Sequence, residues 1–118
     1  LVVVDTEERV EALEVEMKAL FGERLHVARS LPHFLEFSDK HVTKGSGLAF
    51  AAARLGFDQA ATLGCGDGEN DLELIEWAGF GIAVENANPK LKAIADWVCP
   101  SVDEDGVAQV IEAVLERR

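Results

Sequence analysis

The sequence predicts an α/β chain in which a parallel sheet over residues 41–118 follows an α+β segment over residues 1–40. Three observations predict it. Beyond residue 41, apolar strand-like runs alternate with helical patterns, which implies a parallel sheet with right-handed crossovers. Before it the order is strand, helix, strand, strand, which suits an α+β unit. A glycine-rich acidic stretch, Leu63-Gly64-Cys65-Gly66-Asp67-Gly68-Glu69-Asn70-Asp71, joins an apolar run to a helical pattern. It reads as a buried strand, a tight loop and a helix.

Leu1 to Val4 is an apolar strand, and Asp5 is placed to cap the next helix. That helix runs from Glu7 to Phe21, with Val10, Leu13, Met17 and Leu20 on one face. Glu7, Glu8, Glu11, Glu14 and Glu16 form its solvated face, and Gly22 ends it. Arg24 to Ala28 and His33 to Phe37 read as paired strands around a turn through Ser30-Leu31-Pro32. The boundary between the two parts falls near Ser38 to His41. Lys44 to Leu55 is an alanine-rich helix closed by Gly56. A strand at 60–64, a helix at 71–78 and a strand at Gly81-Ile82-Ala83-Val84 come next. Ala60-Ala61-Thr62-Leu63 and the Gly81 strand are expected to be buried on both faces. Pro89 to Ala95 is a helix with proline in its first turn, Trp97-Val98-Cys99 a strand, and Asp105 to Glu116 the last helix. Asp103-Glu104-Asp105-Gly106 precedes that helix and is read as its cap.

Composition narrows the function. Hydrophobic residues make up 48% of the chain, enough for a core, yet no apolar run approaches a membrane span and no signal-peptide pattern opens the chain. A cytoplasmic protein is expected. The net charge of −11 argues against nucleic acid as a partner. It would also repel a phosphorylated substrate unless a cation and a lysine reversed the field locally. Cys65 and Cys99 show no metal-ligand spacing and read as free thiols. His26, His33 and His41 show no ligand pattern, and Trp77 and Trp97 read as packing residues.

The acidic loop carries the chemistry. Two aspartates four apart at the carboxyl end of a strand, with glycines that leave little bulk, suit a hard cation with oxygen ligands. Asp71 either supports the site or caps the helix that follows, and both roles stay open. Asn70 can donate its amide to a phosphate oxygen. Lys44 opens a helix, an unfavourable place for a cation unless an anion sits beside it. Asn86 follows a strand and has either a site or a turn role.

Gly64-x-Gly66-Asp67-Gly68-x-Asn70-Asp71 resembles the fourth motif of the haloacid dehalogenase superfamily, in the form of its Cof-type sugar-phosphate phosphatases. The likeness continues through Ala78-Gly79-x-Gly81-x-Ala83-x-x-Asn86-Ala87, Lys92-x-x-Ala95-Asp96 and Asp105-Gly106-Val107-Ala108. Upstream, Val42-Thr43-Lys44-Gly45 resembles the third motif. The resemblance implies a Rossmannoid parallel sheet, of which residues 41–118 are the C-terminal half, and the end of a cap domain over 1–40. It implies Mg2+ held by Asp67, Gly68 and Asp71, with Lys44 and Asp71 catalytic, and Lys44, Asn70 and Asn86 on the phosphate. The substrate implied is a small phosphorylated metabolite, a sugar phosphate first. Substrate selection in the family lies in the cap, where His33 and Phe34 fall.

The family's nucleophile lies in an Asp-x-Asp-Gly-Thr/Val loop, which this chain lacks; Asp5-Thr6-Glu7 only imitates its start. Leu1 opens directly into an apolar strand, so the chain is expected to be the C-terminal part of a longer phosphatase, inactive alone. Its expected partner is the missing N-terminal half or another copy of itself. A phosphomutase of the same fold and a non-catalytic metal-binding or assembly fragment are the rival readings.

Overall fold

The computed structural model describes residues 1–116. Two three-stranded sheets divide the chain. The first is antiparallel, with β1 (Val2–Val4), β2 (Leu25–Leu31) and β3 (Phe34–Asp39) in the order β1-β3-β2. Helix α1 (Glu7–Phe21) packs on it, and Val10, Val27 and Leu35 form their shared apolar cluster. The second sheet is parallel, with β4 (Leu63–Gly66), β5 (Phe80–Val84) and β6 (Trp97–Cys99) in sequence order. Helices α2 (Lys44–Leu55), α3 (Leu72–Trp77), α4 (Pro89–Ile94) and α5 (Gly106–Glu116) accompany it. Its core gathers Ile75, Ile82, Ala83, Val84, Leu91, Cys99 and Val110. The radius of gyration, 15.6 Å, exceeds the roughly 13.5 Å of a compact domain of this length, because the two clusters lie side by side.

The boundaries of α1 and α2 fall where the periodicity puts them. Thr43 caps α2, its hydroxyl accepting from Ser46 N at 3.1 Å while Ser46 Oγ accepts from Thr43 N at 2.9 Å. Gly56 closes it at φ 76°, a left-handed conformation that glycine enters without steric cost. Helix α2 packs on α3 and α3 on β4, so residues 44 and 71 meet near the carboxyl end of β4 despite their distance in sequence.

Several expectations require correction. The strand expected at 60–64 begins only at Leu63, because Gln59–Ala61 close a 3-10 turn in which Ala61 N donates to Asp58 O. Ala60, Ala61 and Leu63 are exposed, so only the Gly81 segment is buried throughout. Strand β2 continues to Leu31, with a bulge between Arg29 and Leu31, and the turn is confined to Pro32 and His33. The 71–78 helix starts at Leu72, since Glu69–Asp71 form a 3-10 turn. The last helix starts at Gly106, after a 3-10 turn whose Ser101 and Glu104 cap each other; Asp105 sits at φ 57° instead of capping the helix. Thr6, not Asp5, occupies the N-cap position of α1. Asp5 accepts a hydrogen bond from Thr6 N and pairs with Arg9. Leu20 is exposed, while Glu14, placed on the solvated face, is buried and paired with Lys18 at 2.7 Å and Arg29 at 2.8 Å.

Candidate functional site

The site grows from the C-terminal end of β4. Strand β4 ends at Gly66, and the chain turns through Asp67 and Gly68 into the 3-10 turn 69–71. The Asp71 side chain folds back under this turn. Its Oδ2 accepts from Asp67 N at 3.0 Å and from Gly68 N at 3.1 Å. Its Oδ1 accepts from Lys44 Nζ. Gly66 makes room for this arrangement, since a Cβ there would lie 2.5 Å from Asp71 Cβ. Asp71 is thus a buried carboxylate whose two oxygens are both engaged, and it caps the loop's own N–H groups instead of the next helix.

Burial raises the Asp71 carboxyl pKa, but the Lys44 hydrogen bond and the two backbone N–H groups outweigh burial and hold it below its ordinary value. Lys44 reaches Asp71 from the first turn of α2, with its side chain about half exposed at 49%. The ammonium therefore keeps donor capacity for a ligand. The docking of α2 allows this reach, because a Cβ at Gly45 would collide with the Glu73 carbonyl of α3.

Asp67 differs from Asp71. It is exposed, and its carboxylate makes no hydrogen bond or ion pair among the described residues. Its carbonyl accepts from Asn88 N at 2.8 Å, which pins its backbone. The donor set suits magnesium, which binds through one or two carboxylates and keeps waters or phosphate oxygens for the rest. Asp67 is free to be that carboxylate, whereas Asp71 already serves Lys44 and the loop. Among the described residues no group of three His, Cys, Asp or Glu side chains converges, so this chain alone does not enclose a cation with side chains.

Asn70 is half-buried and folds over Gly68, its side chain making no hydrogen bond among the described residues. Asn86 stands apart, because its Oδ1 accepts from Val102 N at 3.1 Å and so braces the turn before α5. The structure thus brings Lys44, Asp67, Gly68, Asn70 and Asp71 together, and sets Asn86 against the turn before α5, in keeping with the turn role left open for it. His33 and His41 are exposed, while His26 lies 3.8 Å from Glu73 and links β2 to α3.

Sequence reasoning missed Lys90, whose Nζ donates to Glu69 Oε1 at 2.7 Å. That bond, ahead of burial, which opposes it, and of the fields of Lys90, Lys18 and Arg29, holds the Glu69 carboxyl below its ordinary value. No local spacing signals the pair, since it joins two separate loops. Glu14 did have a signal: it stands four residues after Val10 and three before Met17, on the apolar stripe of α1.

A cleft of about 390 Å³ opens beside this loop, lined by Lys18, Leu25, His26, Glu69, Leu72 and Glu73. A larger cavity, about 580 Å³, lies away from it, against Leu63, Phe80, Trp97 and Val114. The larger cavity is mostly apolar, Asp96 apart, and Lys44, Asp67, Asn70 and Asp71 line neither of the two.

The chain is similar to known proteins. The model of the haloacid dehalogenase-like hydrolase family matches residues 1–111. A phosphoglycolate phosphatase of Archaeoglobus fulgidus is 47% identical over 74 residues, which are 63% of this chain and 33% of that protein. The solved structure of a haloacid dehalogenase-like hydrolase from B. subtilis aligns with a TM-score of 0.84 at 32% identity, over 94% of this chain and 39% of that one. A sugar phosphatase of subclass IIB aligns at 0.80 with 29% identity, over 88% of this chain and 40% of that one. The chain thus spans well under half the length of these relatives. A family model that covers both sheets and the acidic loop fixes the assignment: this chain belongs to the haloacid dehalogenase-like hydrolases.

Proposed function

We propose that the chain is the cation- and phosphate-handling part of a magnesium-dependent phosphomonoester hydrolase acting on a small phosphorylated metabolite, a sugar phosphate first. One observation carries this reading. At the C-terminal end of a parallel strand, an open carboxylate, Asp67, stands beside a lysine whose position is set by a buried, fully engaged aspartate. The phosphoglycolate phosphatase and the sugar phosphatase that the chain resembles support the reaction class.

Residues 1–40 are proposed to be the end of a cap and 41–118 the second half of the catalytic core, as the change from antiparallel to parallel sheet suggests. Lys44 would neutralise charge on the phosphoryl oxygens as the bond to the leaving group stretches. Asp71 aims the Lys44 ammonium, and Asn70 can donate its amide to a phosphoryl oxygen. Asp67, with the Gly68 backbone close by, would hold magnesium, whose chemistry is charge neutralisation of the transferring group. The attacking aspartate would come from outside this chain and form an aspartyl-phosphate that water hydrolyses. A cytoplasmic setting is part of the proposal.

The test is turnover of p-nitrophenyl phosphate with and without magnesium. The complete protein should be active only with the metal, and the 118-residue chain inactive under both conditions. Turnover by the isolated chain that Asp67→Ala abolishes would show that the nucleophile lies within it.

A further inference from the structure

The acidic loop is held from outside as well as from within. Asp71 supplies the inner tether through the N–H groups of residues 67 and 68. The outer tethers both lead to the turn between β5 and α4. Asn88 N donates to the Asp67 carbonyl at 2.8 Å. Asn88 Oδ1 accepts from Lys90 N at 2.9 Å, which caps α4 and sets the direction of the next side chain. Lys90 Nζ then returns to the loop at Glu69 Oε1, 2.7 Å away. These contacts close a ring: Asp67, Asn88, Lys90, Glu69 and the two peptide units back to Asp67. Pro89 lies inside the ring and fixes one of its torsions.

We infer that Glu69 and Lys90 are positioning residues, which with Asn88 clamp the acidic loop to the β5–α4 turn and so fix where the Asp67 carboxylate stands. The pair gives little to global stability, since the Lys90 side chain is 69% exposed and such pairs contribute little. Its value is directional. The Glu69 side chain is only 19% exposed and sits midway between the two aspartates, so one contact there restrains the whole loop. Asp67 has no side-chain partner among the described residues to orient it, and its placement therefore depends on its backbone. Groups that orient a metal ligand commonly change metal affinity by about tenfold or more when removed.

The inference rests on the reading of Asp67 as the cation ligand, and the test separates the two. In the complete protein, magnesium binding is measured by titration calorimetry without substrate, and unfolding by thermal melting. Lys90→Met and Glu69→Gln should each weaken magnesium binding about tenfold with little change in melting temperature, and the exchanged pair Glu69→Lys with Lys90→Glu should recover much of the loss. Asp67→Asn is the control. If Asp67→Asn removes binding while Lys90→Met leaves it within about twofold, the clamp is wrong and the ligand assignment stands. If Asp67→Asn leaves binding unchanged, both fall. If Lys90→Met lowers the melting temperature in proportion to the lost affinity, the pair is structural and the inference is overturned.

Discussion

Lys44 and Asp67 are the residues on which activity should depend most directly. In the complete protein, Lys44→Ala and Asp67→Ala are each expected to lower kcat/KM by at least about a hundredfold, as removal of one preorganised charged group commonly does. His33→Ala and His41→Ala, both at exposed positions without ties to the loop, should stay near wild type. Steady-state kinetics would decide, and a Lys44→Ala variant close to wild type would remove the lysine from the mechanism. Asp71 supports a separate prediction about pH. Its carboxyl is held below its ordinary value in the fold, so the stability it contributes is complete above the unfolded-state value and is lost as pH falls through the folded-state value. Urea midpoints of the wild type should therefore drop more steeply than those of Asp71→Asn below about pH 4. Parallel curves through that range would contradict the charge pairing. The nearness of Asp67, Asn70 and Asp71 was legible because short spacings around a glycine-rich turn constrain them, and Lys44, distant in sequence, stood out by opening a helix. The Lys90–Glu69 and Asn86–Val102 contacts were not legible, since both depend on which loops the sheet brings side by side.

Between the elements, two close contacts decide how α1 and α2 sit. Gly45 lets the first turn of α2 touch the backbone of α3 at Glu73. Gly45→Ala should push the helices apart, cost about 1–3 kcal/mol in urea unfolding and move Lys44 off Asp71. A variant with unchanged stability would mean that α2 shifts freely. Glu14 anchors α1 to β2 through Arg29. Glu14→Ala should cost about 1–3 kcal/mol, and Glu14→Gln less, because the amide keeps one acceptor for Arg29. Helix periods and caps were readable here, as the bounds of α1 and α2 attest. Strand starts were less so. Ala60 and Ala61 are apolar in type, yet a 3-10 turn takes them before β4 begins, and apolar character alone does not separate a turn from a strand.

At the scale of the whole molecule, apolar surface stands out against the net charge of −11. Strand β4 is an edge of the parallel sheet, and Leu63, Phe80, Trp97 and Val114 beside the larger cavity are 40–44% exposed. Open edges and apolar patches of this kind seek partners. The isolated chain should self-associate in sedimentation, and a stable monomer of 12.8 kDa would refute this. The alternation of strands and helices made the parallel sheet legible; which apolar residues meet within each of the two separate clusters was not, because a list of apolar residues does not say which of them touch. That separation has a consequence for how the protein breathes. A chain resting on two side-by-side cores can open one while the other stays closed. Amide protons of Val27 and Leu35 should then exchange with solvent through a smaller opening than those of Ile82 and Ala83, and the acidic loop, joined to both halves, should inherit the rhythm of the weaker one.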